Sequence, residues 1–278
     1  MNDFELIVNG YYSTQYQNQV HAFPLPRLLL LIWPSTGGNA RSFRIKESEL
    51  ISQKIMLIRY NPTSHGNSFG NYNPSDSIDQ LVQFLRLNHL LEIPVVGIGH
   101  SGGGAALVML ENQLKFLKRY LLSPILNSRL SLEYLYENRN IEEFLELLIS
   151  DSIEDEKEPS RQREIIYSRL ADPSWLQTED LKHLGFPVRN HRIHLADLAT
   201  FLKNLFLPGF DITEQILTQN SPLEIFLPME DKWFPRDRTI AIGKRARIKI
   251  TEIESAKDHF FTSSWLSVWK KIKSEIYT

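Results

Sequence analysis

The run Ile93-Pro94-Val95-Val96-Gly97-Ile98, followed at once by Gly99-His100-Ser101-Gly102-Gly103, constrains this chain more than any other stretch. It reads as a buried strand, a G-x-S-x-G turn, and a helical stretch from Ala105 to Leu117. A serine on a sharp strand-to-helix turn is held in a strained backbone conformation, and only small neighbours let such a turn close. Its hydroxyl then stands at the end of the sheet, and the helix behind it presents N–H groups that favour developing negative charge. A short Gly/Ser string is a weak signal alone. A strand before it, a helix after it and partners later in the chain make it a strong one.

The rest of the chain supplies the sheet that such a turn needs. Phe4 to Val8, Asn9-Gly10 and Tyr11 to Tyr16 read as a β-hairpin, because Asn-Gly accommodates the positive φ angles of a tight turn. Leu28 to Trp33 and Ile55 to Tyr60 are continuous apolar runs suited to strands covered on both faces. Pro74 to Leu91 carries Ile78, Leu81, Val82, Leu85 and Leu87 at near-helical spacing, with capping residues in Ser75 to Asp79. Tyr120 to Pro124 predicts a further short strand. This alternation predicts an α/β fold with a mostly parallel central sheet and helices on both faces.

The texture changes between Asn127 and Leu207, where helix formers and charge dominate and no buried strand is expected. The dense charge of Glu142 to Glu158 reads as a solvated helix face and loop. Strand signals return at Leu223 to Leu227 and Ile248 to Ile253. Phe260 to Ile276 predicts a closing helix with Trp265, Leu266, Trp269 and Ile272 on one face. The expected organisation is a core of residues 1–126 and 208–278 with a helical cap inserted at 127–207.

Composition removes several function classes. The 278 residues suffice for a sizeable core, and a net charge of −2 gives no reason to expect a nucleic-acid partner. With no cysteine, thiolate catalysis and Cys-based zinc sites are excluded. The longest apolar run, Leu28 to Trp33, is too short to span a bilayer, and the first residues lack the pattern of a secretory signal. A cytoplasmic location is the expectation. His191 and His194, with His183 and Asp197 nearby, lack further converging ligands and read as polar surface, so no metal is expected. Gly102-Gly103-Gly104 is followed by no Lys-Ser/Thr, which argues against a phosphate-cradling loop.

A serine hydroxyl is a poor nucleophile at neutral pH. It needs a base to take its proton and a third group to orient that base. In folds that carry their serine on such a G-x-S-x-G elbow the chain order is serine, carboxylate, histidine. Asp231 follows the strand at Leu223 to Leu227, and His259 follows the strand at Ile248 to Ile253. Both stand at carboxyl ends of predicted strands, where such sheets place their sites. Glu230 is the neighbouring alternative acid. The loop Ser123 to Asn127, the other place for one, holds no carboxylate.

Ile98 to Gly104 resembles the G-H-S-x-G-G elbow of the α/β-hydrolase superfamily, and the resemblance covers nearly the whole core. Asn61 to Ser68 is similar to the D-x-R-G-H-G-x-S loop of its lid-bearing members, with the Asp and Arg missing. Pro228 to Pro235 resembles the acid loop, and Asp258-His259-Phe260 the G-H-F histidine turn. The resemblance implies Ser101 as nucleophile, His259 as general base and Asp231 as orienting carboxylate. It also implies an oxyanion hole from the N–H groups of Thr36 and Gly102, in a segment where Pro34-Ser35 replaces the usual His-Gly. Ser35 and Trp233 are candidate substrate contacts, His100 is expected to pack beside the elbow, and His65 to brace its own loop. The function so predicted is a cofactor-free serine hydrolase of a small, apolar or acyl-bearing ester or thioester. Acyl transfer or C–C cleavage by the same triad is the alternative within that chemistry. A non-catalytic binding protein on the scaffold is the alternative outside it.

Overall fold

The computed structural model describes residues 4–9, 11–14, 25–66, 68, 70, 72–141, 143–144, 187–188, 196–197 and 209–277. Among them, eight strands form one sheet: β1 (Glu5–Val8), β2 (Tyr11–Thr14), β3 (Leu28–Trp33), β4 (Ile55–Asn61), β5 (Val95–His100), β6 (Phe116–Leu122), β9 (Leu223–Pro228) and β10 (Lys249–Ile253). The order across the sheet is β10-β9-β6-β5-β3-β4-β1-β2. From β10 to β4 all neighbours are parallel, while β1 runs antiparallel to both β4 and β2. The hairpin expected at Asn9-Gly10 is present, with Asn9 at φ 48°.

The apolar strands are buried on both faces because two cores sandwich them. Leu29, Leu31 and Trp33 of β3 face one core, together with α2 (Pro74–Leu87) and α3 (Gly102–Met109). Leu28, Leu30 and Ile32 face the other, together with α1 (Glu47–Ile51) and α7 (Trp265–Ile276). The first core also takes Leu132 and Leu135 from α4 (Ser128–Glu137), Ile216 from α5 (Thr213–Thr218), and the half-buried Ile240 and Ile242 from α6 (Arg236–Arg245). Each fully buried leucine contributes about 2 kcal/mol of hydrophobic stabilisation before chain entropy is counted.

Several local expectations change. α2 is capped by Asn73, whose Oδ1 accepts from the N–H groups of Ser75 and Asp76, with Pro74 in its first turn. Leu87 points outward, 56% exposed. The helix after the serine ends at Met109. Phe116 and Leu117, expected in that helix, belong to β6, which starts four residues before the predicted strand. A helix continued from Ala105 would have left the sheet position beside β5 empty. On α7 the buried residues are Val268, Trp269, Ile272 and Ile276, while Leu266, about 100° around the helix from that stripe, is 69% exposed.

In the segment 127–207, where no buried strand was expected, α4 is described, and Pro187–Val188 (β7) pairs antiparallel with Ala196–Asp197 (β8). Residues 138–141 and 143–144 continue the described part, and the remainder of the predicted cap, including His183, His191 and His194, lies outside the described residues. No helix among the described residues is long and apolar enough to cross a membrane.

Candidate active site

Ser101 sits between β5 and α3 with φ 55° and ψ −118°, a conformation that L-residues rarely adopt and that costs on the order of 1–3 kcal/mol. The surroundings clamp it there. Its N–H donates to the Leu122 carbonyl at 2.8 Å, and its own carbonyl accepts from Gly104, Ala105 and Ile125. The turn closes only because Gly99 and Gly103 lack side chains. A Cβ on Gly99 would stand 2.5 Å from the Gly103 oxygen, and one on Gly103 would stand 2.4 Å from the carbonyl oxygens of Trp33 and Pro34. These backbone contacts lock the elbow to the end of β3.

His259 and Asp231 meet across the ends of β9 and β10. Nδ1 of His259 lies 2.8 Å from Oδ2 of Asp231, and both side chains are buried. The other carboxylate oxygen, Oδ1, accepts from the N–H groups of Trp233 and Phe234, each at 3.0 Å. Burial opposes ionisation of Asp231, but the adjacent His259 and the two N–H donors outweigh it and hold the carboxyl below its ordinary range. The carboxylate is thus both ionised and immobile. With Nδ1–H donating to Asp231, Nε2 of His259 carries the lone pair. Glu230, the neighbouring acid, is exposed.

Three aromatic rings surround the histidine. Phe234 lies 4.7 Å from it, Phe260 meets it edge-on at 5.2 Å, and His100 lies at 4.9 Å with a 34° tilt. Nε2 of His100 bonds the His259 carbonyl oxygen at 2.8 Å, so the residue before Ser101 also holds the histidine turn. Burial, and then the neighbouring His259, push the His100 imidazole down to about 3, so it is neutral and donates from Nε2.

The turn after β3 completes the site. Thr36 packs against Gly102 so closely that a Cβ there would lie 2.2 Å from Thr36 Oγ1. Neither the Thr36 nor the Gly102 N–H donates to an acceptor among the described residues. The turn is held instead through Gly37, whose N–H donates to Nε2 of His65 at 2.9 Å, while Nδ1 of His65 bonds the Thr63 carbonyl oxygen at 2.8 Å. His65 therefore braces the turn after β3 as well as its own loop.

Where the Asp and Arg of the similar loop are missing, another network has grown. Asn61 Nδ2 donates to Glu5 Oε2 at 2.6 Å and to Asn39 Oδ1 at 3.2 Å, its Oδ1 accepts from the Ala40 N–H, and Glu5 pairs with Arg41. Ser35 folds over its own turn, its carbonyl accepting from the Gly38 N–H. Trp233 is 4% exposed and packs against Phe144, with Lys232 over its ring. The sequence pointed to Trp233 for its indole and missed its N–H, and it missed the ring of Phe234. The only available signal was the aspartate two and three residues before them, an Asx-turn spacing.

No protein-family model matches this chain, and no curated protein matches it in sequence. Solved structures do match in shape. A carboxylesterase from the thaumarchaeon Nitrososphaera gargenis is 14% identical, with 92% of each chain covered and a TM-score of 0.61. The enol-lactonase from Burkholderia xenovorans is 10% identical over 100% of this chain and 97% of its own, with a TM-score of 0.62. An esterase from Exiguobacterium antarcticum is 12% identical over 90% and 92%, with a TM-score of 0.58. The chain has the α/β-hydrolase fold.

Proposed function

We propose that this chain is a serine hydrolase that cleaves a carboxylic ester, cyclic or open, or a thioester through an acyl-enzyme on Ser101. The observation that carries the reading is the buried Asp231–His259 pair, with its carboxylate fixed by two backbone donors, beside a serine strained into an elbow. The esterases and the lactonase of the same fold support the class of chemistry.

In this mechanism Ser101 Oγ attacks the carbonyl carbon as His259 Nε2 takes its proton. Asp231 stays ionised and stabilises the imidazolium. The N–H groups of Thr36 and Gly102 donate to the tetrahedral oxyanion, each worth about 3–4 kcal/mol in such sites, and the α3 N-terminus adds its dipole. Neither N–H has an acceptor to abandon among the described residues. Collapse of the intermediate expels the alcohol or thiol, protonated by His259. Water deprotonated by His259 then attacks the acyl-enzyme, releasing the acid and restoring Ser101. Residues 127–207 serve in this reading as the cap that selects an apolar or acyl-bearing substrate.

The test is labelling with a fluorophosphonate. The wild type is expected to label, Ser101→Ala not at all, and His259→Ala far more slowly. A folded wild-type protein that stays unlabelled and turns over no ester or thioester overturns the reading. Product analysis with added alcohol or amine separates hydrolysis from acyl transfer.

A further inference from the structure

Behind the histidine turn lies a cavity of about 440 Å³ that the proposed chemistry does not use. Phe43, Phe260, Phe261 and Trp265 wall it, and His100 and Arg44 line it too. Phe43 and Trp265 meet edge to face at 4.9 Å, and the rings of Phe260 and Phe261 each stand edge-on to His100 at 6.0 Å. Asp231 and Ser101 do not line it.

Two polar groups of this cavity are committed, while Thr262 and Ser263 belong to its exposed side. The Trp265 indole N–H donates to the Arg44 carbonyl oxygen, and the Ser42 hydroxyl donates to that of Asn39. His100 differs. It is 6% exposed, its Nε2 is held by the His259 carbonyl, and its Nδ1 has no hydrogen-bond partner among the described residues. A neutral imidazole that donates from Nε2 carries an unused lone pair on Nδ1. His100 lines the cavity, and Nδ1 is not among the fully buried unpartnered atoms of the described residues, so it is open to solvent and a ligand hydroxyl can take the place of water there. The aromatic walls select an apolar body, and a cation would have to shed its hydration to enter between them.

We propose that this cavity is a second small-molecule site, taking a neutral aromatic or branched-aliphatic molecule with one hydroxyl, which donates to Nδ1 of His100. An alcohol or phenol fits, a hydrocarbon wastes the acceptor, and an ammonium must lose its hydration shell to enter. Burial keeps His100 neutral down to about pH 3, so the acceptor persists throughout the working range.

Calorimetric titration of the Ser101→Ala protein with phenol, toluene and benzylamine tests this without any catalytic event, so its outcome is separate from that of the labelling experiment. Phenol is expected to bind with a Kd on the order of 1 mM, as suits a ligand of this size, and about fivefold more tightly than toluene through the one added hydrogen bond. Benzylamine is expected to bind more weakly than either. His100→Phe should erase the preference for phenol, and Thr262→Trp should block both ligands by placing an indole from the exposed wall into the cavity. If His100→Phe fails to fold, the phenol-to-toluene ratio and Thr262→Trp decide the matter. No saturable phenol binding, equal affinity for phenol and toluene, or binding that survives Thr262→Trp overturns the proposal. Loss of phenol binding in wild-type protein phosphonylated on Ser101 places the ligand in the acyl site and overturns it too.

Discussion

The Gly37 N–H donates to Nε2 of His65 at 2.9 Å, joining the turn after β3 to the loop after β4. The bond requires a neutral imidazole with its proton on Nδ1, and that N–H donates to the Thr63 carbonyl oxygen. His65→Ala would leave a buried N–H unpaired, at about 1–3 kcal/mol. The turn carrying Thr36 should loosen, so kcat for an ester substrate is expected to fall at least tenfold with KM little changed. Steady-state kinetics check this. An unchanged kcat would remove His65 from the support of that turn.

Stability should fall on mild acidification. Burial holds His65 at about 4 and, together with His259, holds His100 at about 3, whereas both imidazoles titrate near 6.5 in the unfolded chain. Between those limits the unfolded state binds more protons, so stability decreases as pH drops below about 6.5. The slope approaches two protons, about 2.7 kcal/mol per pH unit. Asp231 adds a later loss. Its depressed carboxyl contributes above its unfolded value, and that contribution disappears as pH falls through its folded one. Urea unfolding from pH 8 to pH 5 measures the slope, and His65→Gln is expected to reduce it by about one proton.

Asp231→Asn keeps the shape of the acid loop but removes the charge and allows the wrong His259 tautomer. A loss of about 10³- to 10⁴-fold in kcat is expected, with the fold intact by circular dichroism. A loss under tenfold would mean that another carboxylate orients His259.

Gly103→Ala tests the elbow itself. The added methyl would meet two carbonyl oxygens at 2.4 Å, and neither can move without displacing β3. Overpacking of this kind costs about 1–3 kcal/mol. The melting temperature should drop by several degrees and phosphonate labelling should slow. An unchanged melting temperature would contradict the close approach of α3 to β3.

Asn61→Asp restores the residue that the similar loop pattern carries, and it should nevertheless destabilise this protein. The change replaces the amide that donates to Glu5 at 2.6 Å with a second carboxylate facing it. Two buried like charges at that distance disfavour each other strongly. A loss of about 1–3 kcal/mol is expected in denaturant unfolding, and Glu5→Gln in the same chain should recover part of it.

Strands buried on both faces were easy to read, because Leu28 to Trp33 and Ile55 to Tyr60 have no polar side to leave in doubt. The elbow was legible for a different reason: its glycines are required by backbone contacts, so they appear in the sequence as a pattern. Asp231 and His259 were legible as positions after strands, and their 2.8 Å contact follows from the pairing of β9 with β10. Three features were not legible. The end of α3 is set by the vacancy that β6 fills, and the apolar residues of both look alike. The bond from His65 to Gly37 spans 28 residues and leaves no periodic trace. Glu5 reads as an ordinary strand residue until β1 is placed beside β4, where it replaces charges that the similar loop carries within itself.

That placement of β1 ties the site to the margin of the sheet. Among the described residues, β2 is the outermost strand of the sheet and β1 lies next to it. Edge strands fray first, through local openings far cheaper than global unfolding. When β1 lifts away, Asn61 loses Glu5, and Asn39 and Ala40 lose the side chain that Glu5 steadies. The turn bearing Thr36 thus inherits the breathing of a peripheral hairpin. Amide exchange at residues 5–8 and 37–40 should rise and fall together, and the lifetime of the closed edge sets how long the turn stays assembled.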